Sequence, residues 1–446
     1  MPAPLSNSEF AKPALTNRRW LIVVLILAGL LRIGLVAWRP ESLTEDRDMY
    51  WGIARHLAAG KGFAQPDLGY PTAYRPPLYP CLLAGIVFLG GGTKLLAVVQ
   101  IGLGLATVWL TWLLGRRLGL GDTALLAAAF VAANPLLIQA TSLAMTETLC
   151  TFLIVVTMLT TQVVRRDYSF FSAWCFWNAC LGFAIGLATL CRPTLLAFSV
   201  LAMLVIGLRQ AWIGKPSSRQ QAQWSIVVLS CVVTLAPWTI RNWIVFGTPI
   251  VTTTHGGYTL LLGNNDEAYR VEISEANGKL WDSKPWNNQL RGEMIRIGLT
   301  SDAEVARDRW MKNTAWNWIS DHPIEFLESC WLRLKRFWNI APQGADAEAW
   351  PRIVRWSVAL FFVIELFAAG IGLWRLRRND WIDWWPFVLI VASFTLVHLV
   401  YWSNLRMRAP VEPVLALLAA FAVSRRPARS LGDQTVPRPL GSGRSV

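Results

Sequence analysis

The sequence predicts an all-α, polytopic integral membrane protein of about ten transmembrane helices, with juxtamembrane helices and a small extracytoplasmic helical segment. Three observations predict it. The 446 residues are 54% hydrophobic and only 16% charged, whereas about a quarter of a soluble globular chain is charged. Apolar runs of roughly 20 residues, the length that crosses a hydrocarbon core, recur along the chain. Small clusters of Arg mark every second connection between those runs, the distribution that orients cytoplasmic loops. That clustering also accounts for the net charge of +14. A basic balance invites a nucleic-acid partner, but charges dispersed among membrane runs are topology signals, so nucleic acid is excluded.

The runs lie near 20–38, 93–115, 120–140, 146–164, 172–190, 193–208, 225–243, 352–374, 383–402 and 410–424. Arg18-Arg19 precede the first, Arg116-Arg117 follow the second and Arg165-Arg166 the fourth. Arg209, Lys215 and Arg219 follow the sixth, Arg375, Arg377 and Arg378 the eighth, and Arg425-Arg426 the tenth. This alternation requires both termini in the cytoplasm. The first run is too long for a signal-peptide core and reads as an uncleaved span. Residues 77–91, at about 15 residues, are short for a span. Counting them as one would invert every later Arg cluster. They read instead as a juxtamembrane or re-entrant helix with Pro76 and Pro77 in its first turn.

The expected division follows: a cytoplasmic N-terminus at 1–19 and a membrane core at 20–243 that includes an extracytoplasmic loop at 39–92. An extracytoplasmic cap at 244–350, C-terminal membrane helices at 351–424 and a disordered basic cytoplasmic tail at 425–446 complete it. The cap carries helical patterns near 302–320 and 323–338. In the second, Trp331, Phe337 and Trp338 alternate with Arg333, Lys335 and Arg336, which suits a helix lying along the interface. The seven cysteines fall mostly inside apolar runs with no C-x-x-C spacing, so neither a disulfide framework nor a thiolate zinc site follows.

With this topology one bilayer face collects the ionisable groups. The polar loop Glu45–Pro80 supplies E-D-R-D-M-Y at 45–50 and Y-R-P-P-L-Y-P at 74–80. Glu147, Arg192, Arg241, His255, Arg406 and Arg408 fall at the same side. Some have plain structural readings. Glu147 follows Thr146 in a helix's first turn, where an acid favours the macrodipole; Arg192 can snorkel to headgroups; His255 beside Gly256-Gly257 suits a turn. Short outer loops normally avoid Arg, so Arg241, Arg406 and Arg408 call for an anionic partner. Guanidinium forks suit a lipid phosphate, and carboxylates suit removal of a proton from an incoming hydroxyl. Crowding of Glu45, Asp46 and Asp48 raises the proton affinity of at least one. It would equally suit a loosely held divalent cation, and the residues leave both open.

Asp46 stands four before Tyr50, followed by I-A-R-H-L-A-A-G-K-G-F at 53–63 and Arg75-Pro76-Pro77-Leu78-Tyr79. T-E-T-L at 146–149, L-A-T-L-C-R-P-T at 187–194, P-W-T-I-R-N at 237–242 and R-M-R-A-P-V-E-P at 406–413 follow in order. In these motifs the chain resembles the GT-C superfamily of membrane glycosyltransferases, in the branch holding lipid A aminoarabinose transferases, protein O-mannosyltransferases and bacterial dolichyl-phosphate-mannose-type enzymes. The resemblance implies a polyprenyl-phosphate-linked sugar donor, a lipid, glycan or protein acceptor, and inversion by single displacement in the plasma (inner) membrane. It makes Asp46 the catalytic carboxylate, with Asp48 an extra acid at a variable position and Glu147 a second acid facing the cavity. Arg75 would contact the donor phosphate, where the lipid A enzymes carry Lys. Arg241 and Arg408 would be cavity-facing cations; Tyr50, Tyr74, Tyr79, Arg192, His255 and Arg406 join them as candidate substrate contacts. The alternatives are a transporter or flippase of lipid-linked sugars, and a lipid-pyrophosphate-dependent O-antigen ligase or polymerase.

Overall fold

The computed structural model describes residues 15–165, 170–213, 217–274, 281–343, 347 and 350–425. Arg166, Lys215 and Arg426, and the N-terminal and tail stretches 1–14 and 426–446, lie outside the described residues. Among the described residues all regular elements are helical apart from one isolated bridge between Ala64 and Pro71. Among the described residues seven helices are long and apolar enough to cross a membrane, or eight if one bent pair counts as a single span.

The first is α1 (Leu15–Trp38), whose Ile22, Ile26, Leu30 and Ile33 are exposed, as lipid-facing side chains are. After α2 (Tyr50–Ala58) and α3 (Leu78–Phe88), α4 (Thr93–Arg117) crosses back. At 11 residues α3 is too short to span, as its sequence predicts. The predicted run 120–140 is broken: α5 (Ala124–Ala133) and α6 (Pro135–Thr141) meet at 52°. Asn134 causes the break. Its side-chain oxygen accepts the Leu136 and Leu137 N–H groups at 3.1 and 3.2 Å, and Pro135 occupies the first position of the new helix.

Helices α7 (Glu147–Val164), α8 (Phe171–Cys191), α9 (Thr194–Ile213) and α10 (Ser218–Phe246) follow. A capping box joining Ser217 and Gln220 starts α10, and Gly247, at φ 65°, ends it in the left-handed conformation that favours glycine. The cap holds α11 (Gly256–Gly263), α12 (Asp266–Tyr269), α13 (Ser283–Arg296), α14 (Glu304–Asp321) and α15 (Pro323–Phe337). Leu260, Leu261, Leu290, Met294, Met311, Ala315, Trp318 and Ile319 form its own small core. Along α15 the exposed Ile324, Leu327 and Trp331 share one face. On the other face Arg333 donates to the Leu399 and Val400 carbonyls at 2.8 and 3.1 Å, fastening the cap to the membrane helices.

The chain ends in α16 (Arg352–Arg375), α17 (Trp381–Val400), a tight turn at Leu405–Val411 and the buried α18 (Glu412–Val423). Both predicted spans near 193–208 and 410–424 are helices, but the apolar part of α9, Thr194–Leu208, and the 12-residue α18, with Pro413 in its first turn, fall short of the spanning length. Helices α16 and α18 approach so closely that a Cβ at Gly372 would land on the Leu418 carbonyl. Gly372→Ala should destabilise the protein by about 1–3 kcal/mol through overpacking, readable as a lowered unfolding temperature in detergent.

Candidate active site

The first loop is shaped around Asp46. Its Oδ1 accepts the Trp51 N–H at 2.9 Å and its Oδ2 the Gly52 N–H at 2.7 Å, so this exposed carboxylate caps the start of α2. Met49 (φ 62°) makes the sharp entry, the one non-glycine residue with positive φ among the described residues. Gly52 must lack a side chain, since a Cβ there would collide with the Pro66 ring. Asp48 turns the other way. Its Oδ1 pairs with Arg75 Nη2 at 2.7 Å, and its carbonyl accepts the Arg75 Nε–H at 3.0 Å. Glu45 pairs with Arg47 on the surface. The three acids thus have three separate partners and form no shared ligand set. Among the described residues no three His, Cys, Asp or Glu side chains gather as metal ligands.

The Arg75 guanidinium lies over the Tyr50 and Tyr74 rings, 5.5 and 5.0 Å from their centroids. Tyr50 meets Tyr79 edge-on at 5.1 Å. Beyond this pair stands Glu147, only 1% exposed at the first position of α7. Its Oε1 is 3.2 Å from Arg406 Nε and 3.6 Å from Arg192 Nη1. Burial raises the Tyr50 hydroxyl above its usual range, and Arg75, Asp48, Glu147 and Arg192 all lie close enough to act on it. The tyrosine pair therefore joins the first-loop set to the Glu147 set. Two guanidinium groups on one carboxylate leave a net positive charge. Several buried polar atoms here have no hydrogen-bond partner in the protein: Glu147 Oε2, Arg192 Nη1, the Tyr79 hydroxyl and, on the turn leading to Arg406, the Ser403 hydroxyl. Such orphaned groups are costly unless water or a ligand meets them.

On the cap side, Tyr74 meets His255 edge-on at 4.4 Å, and His255 stacks on Tyr258 at 5.2 Å. Burial, aided by the Arg75 charge, holds the His255 imidazole well below its ordinary value near 6.5. The unfolded chain then takes up a proton below that value while the folded one does not. Stability is full above pH 6.5 and falls as pH drops, by up to about 1.4 kcal/mol per pH unit from this group. His255→Phe should flatten that slope, read as unfolding temperature in detergent between pH 7.5 and 5.

Two predicted cations stand elsewhere. Arg241 donates to the Thr72 carbonyl at 2.8 Å, the Phe63 carbonyl at 2.7 Å and Asn242 Oδ1 at 2.9 Å, stitching the end of α10 to the first loop. Arg408 is fully buried. Its Nε donates to Glu412 Oε1 at 2.6 Å and its Nη1 to the Phe337 and Asn339 carbonyls at 3.2 and 3.0 Å. Glu412 and Glu365, both fully buried, share the Asn134 amide at 2.9 and 3.3 Å. Sequence reasoning missed Glu365, although a lone acid inside the apolar run 352–374 is itself a signal. It also missed Glu304 of α14, which looks like one more acid on a solvated helix.

Residues 74–240 match the family of dolichyl-phosphate-mannose-protein mannosyltransferases. No curated protein matches significantly. Among solved structures, the apo Archaeoglobus fulgidus oligosaccharyltransferase is similar at a TM-score of 0.53 and 16% identity, over 91% of this chain and 50% of that one. The same enzyme tethered to an acceptor peptide with an NVT sequon gives 0.50 and 15%, over 91% and 49%. ArnT from Cupriavidus metallidurans bound to undecaprenyl phosphate gives 0.44 and 16%, over 92% and 78%. The chain spans about half the length of the oligosaccharyltransferase it matches. Residues 74–240 thus resemble that mannosyltransferase family, and the all-α polytopic fold is similar to that of the oligosaccharyltransferase.

Proposed function

We propose that this protein transfers a sugar from a polyprenyl-phosphate carrier to a lipid, glycan or protein acceptor at the extracytoplasmic face of the plasma membrane. The observation that carries the reading is the gathering of Arg75, Arg192 and Arg406, from three distant connections, around the Tyr50–Tyr79 pair and Glu147. The phosphodiester of such a donor presents two non-bridging oxygens, which guanidinium donors take in pairs. The family match points to the same donor class, because its description names a dolichyl-phosphate sugar.

In this mechanism Asp46 is the general base. Asp48 is held by Arg75, and Glu147 is enclosed by two arginines, whereas Asp46 is exposed and each of its oxygens keeps further acceptor capacity. The acceptor's proton passes to Asp46 as its oxygen or nitrogen attacks the anomeric carbon. The bond from that carbon to the phosphate oxygen breaks, and polyprenyl phosphate departs with its new charge met by the arginines. A single displacement inverts the anomeric centre. Arg241 and Arg408 act on the architecture rather than on the carrier. The Arg clusters support a topology with both termini in the cytoplasm.

The test supplies purified protein with a polyprenyl-phosphate-linked sugar and cell-envelope acceptors, and follows products by mass spectrometry. Polyprenyl phosphate should be released, with sugar of inverted configuration on the acceptor. Arg192→Ala and Arg406→Ala should each raise the donor KM about tenfold or more, since each removes a charge-assisted contact of roughly 1.5–3 kcal/mol. Movement of the lipid-linked sugar across vesicles without a new glycosidic bond would establish a flippase instead. Strict need for a pyrophosphate carrier would establish the ligase class.

A further inference from the structure

Residues 72–74 form a short segment that delivers Arg75 to the site, and every backbone polar group in it has a partner. The Thr72 N–H donates to the Phe63 carbonyl at 3.0 Å, and the Thr72 carbonyl accepts from Arg241 at 2.8 Å. The Ala73 N–H donates to Glu304 Oε1 at 2.7 Å, and the Ala73 carbonyl accepts the Thr254 N–H at 3.0 Å. The Tyr74 N–H donates to the Thr72 hydroxyl oxygen at 3.0 Å, and the Tyr74 carbonyl accepts the Thr253 hydroxyl. Such complete saturation fixes the backbone just before Arg75.

Glu304 is the centre of this arrangement, and it comes from the cap helix α14, 232 residues beyond Thr72. It is 7% exposed. Its carboxylate accepts from the Thr72 hydroxyl at 2.6 Å, the Ala73 N–H at 2.7 Å, the Thr254 hydroxyl at 2.6 Å and Gln65 Nε2 at 3.3 Å. A buried carboxylate is expensive unless its lone pairs are met, and here neutral donors from two loops meet them. One turn further along α14, Asp308 accepts the Gly257 N–H at 2.7 Å. One face of one helix thus fastens both loops that flank Arg75: the segment bearing Tyr74 and the segment bearing His255.

We propose that Glu304 is a positioning residue for the Arg75 guanidinium, holding residues 72–74 so that Arg75 faces the carrier phosphate. This rests on the reading of Arg75 as a phosphate contact. A shift of about 1 Å in a positioning group can cost 100-fold, and the pinned segment is one bond from Arg75. The experiment measures binding of undecaprenyl phosphate to the full-length protein in detergent by native mass spectrometry, together with KM and kcat for a lipid-linked donor. Glu304→Gln should weaken binding about tenfold and raise KM more than it lowers kcat. Thr254→Val, which removes one donor to Glu304, should do the same about threefold. Placed in an Arg75→Ala background, Glu304→Gln should add less than about twofold, because the two act as a unit. Leu290→Ala, in the cap core, should lower the unfolding temperature without moving binding. Unchanged binding in Glu304→Gln, or equal weakening with and without Arg75, overturns the inference. A wild-type protein that does not bind the lipid overturns the phosphate reading of Arg75 and the inference with it.

Discussion

On the proposed mechanism, Asp46→Asn should leave a folded protein that still binds a polyprenyl-phosphate-linked donor, while sugar transfer falls by about 10²–10⁴-fold, the usual contribution of a positioned general base. The geometry separates this loss from a folding defect. Asp46 caps α2 through the Trp51 and Gly52 N–H groups, and an Asn oxygen can keep one of those bonds. A weakened cap costs on the order of 1 kcal/mol, visible as a small drop in unfolding temperature and far too little to account for such a loss. Asp48→Asn makes the companion measurement. Its carboxylate holds Arg75 at 2.7 Å, so its loss should raise the donor KM and leave kcat the less affected. Single-turnover assays with purified variants separate the two acids. Near-normal turnover in Asp46→Asn would remove that residue as the base.

Glu412→Ala should be the most destabilising of the single substitutions considered, by about 3–5 kcal/mol. Both members of the Arg408–Glu412 pair are fully buried at 2.6 Å. Removing the acid strands a guanidinium in a low-dielectric interior, where the cost of an unpaired charge exceeds the worth of the pair itself. Asn134 would also lose its 2.9 Å acceptor. The double change Arg408→Met with Glu412→Leu, which removes both charges and keeps volume, should recover much of the loss. Unfolding of the variants in detergent or mixed micelles measures the difference. A Glu412→Ala protein as stable as wild type would mean that water reaches Arg408.

Part of the candidate site's geometry was legible in the sequence, because local chemistry wrote it. Asp46 lies four residues before the helix it caps, and the helix and glycine-rich turn after Tyr50 are local as well. The alternating Arg clusters and apolar runs put Glu147, Arg192 and Arg406 on one bilayer face, and the structure brings the two arginines onto the Glu147 carboxylate. Distance along the chain hid the rest. Glu304 meets Thr72 across 232 residues, and Glu365 and Glu412 meet Asn134 across 231 and 278. No periodicity reports such pairings. Arg241 and Arg408 show a second limit. A guanidinium carries five donors, and sequence cannot tell whether carbonyls or a ligand will take them. Here carbonyls take those of Arg241, and an acid with two carbonyls takes most of those of Arg408. The broken span was legible in principle: Asn followed by Pro is a helix-start signature, overlooked because the hydropathy of 120–140 is unbroken.

The bend at Asn134 has a mechanical corollary. One amide group restarts the helix with its oxygen and satisfies two acids with its nitrogen. Straightening the chain there would strip those acids of a donor and uncap a helix in the same movement, two costs that must be met at once. This elbow is therefore stiff, and an opening that would admit the tail of the proposed carrier is expected at joints other than this one.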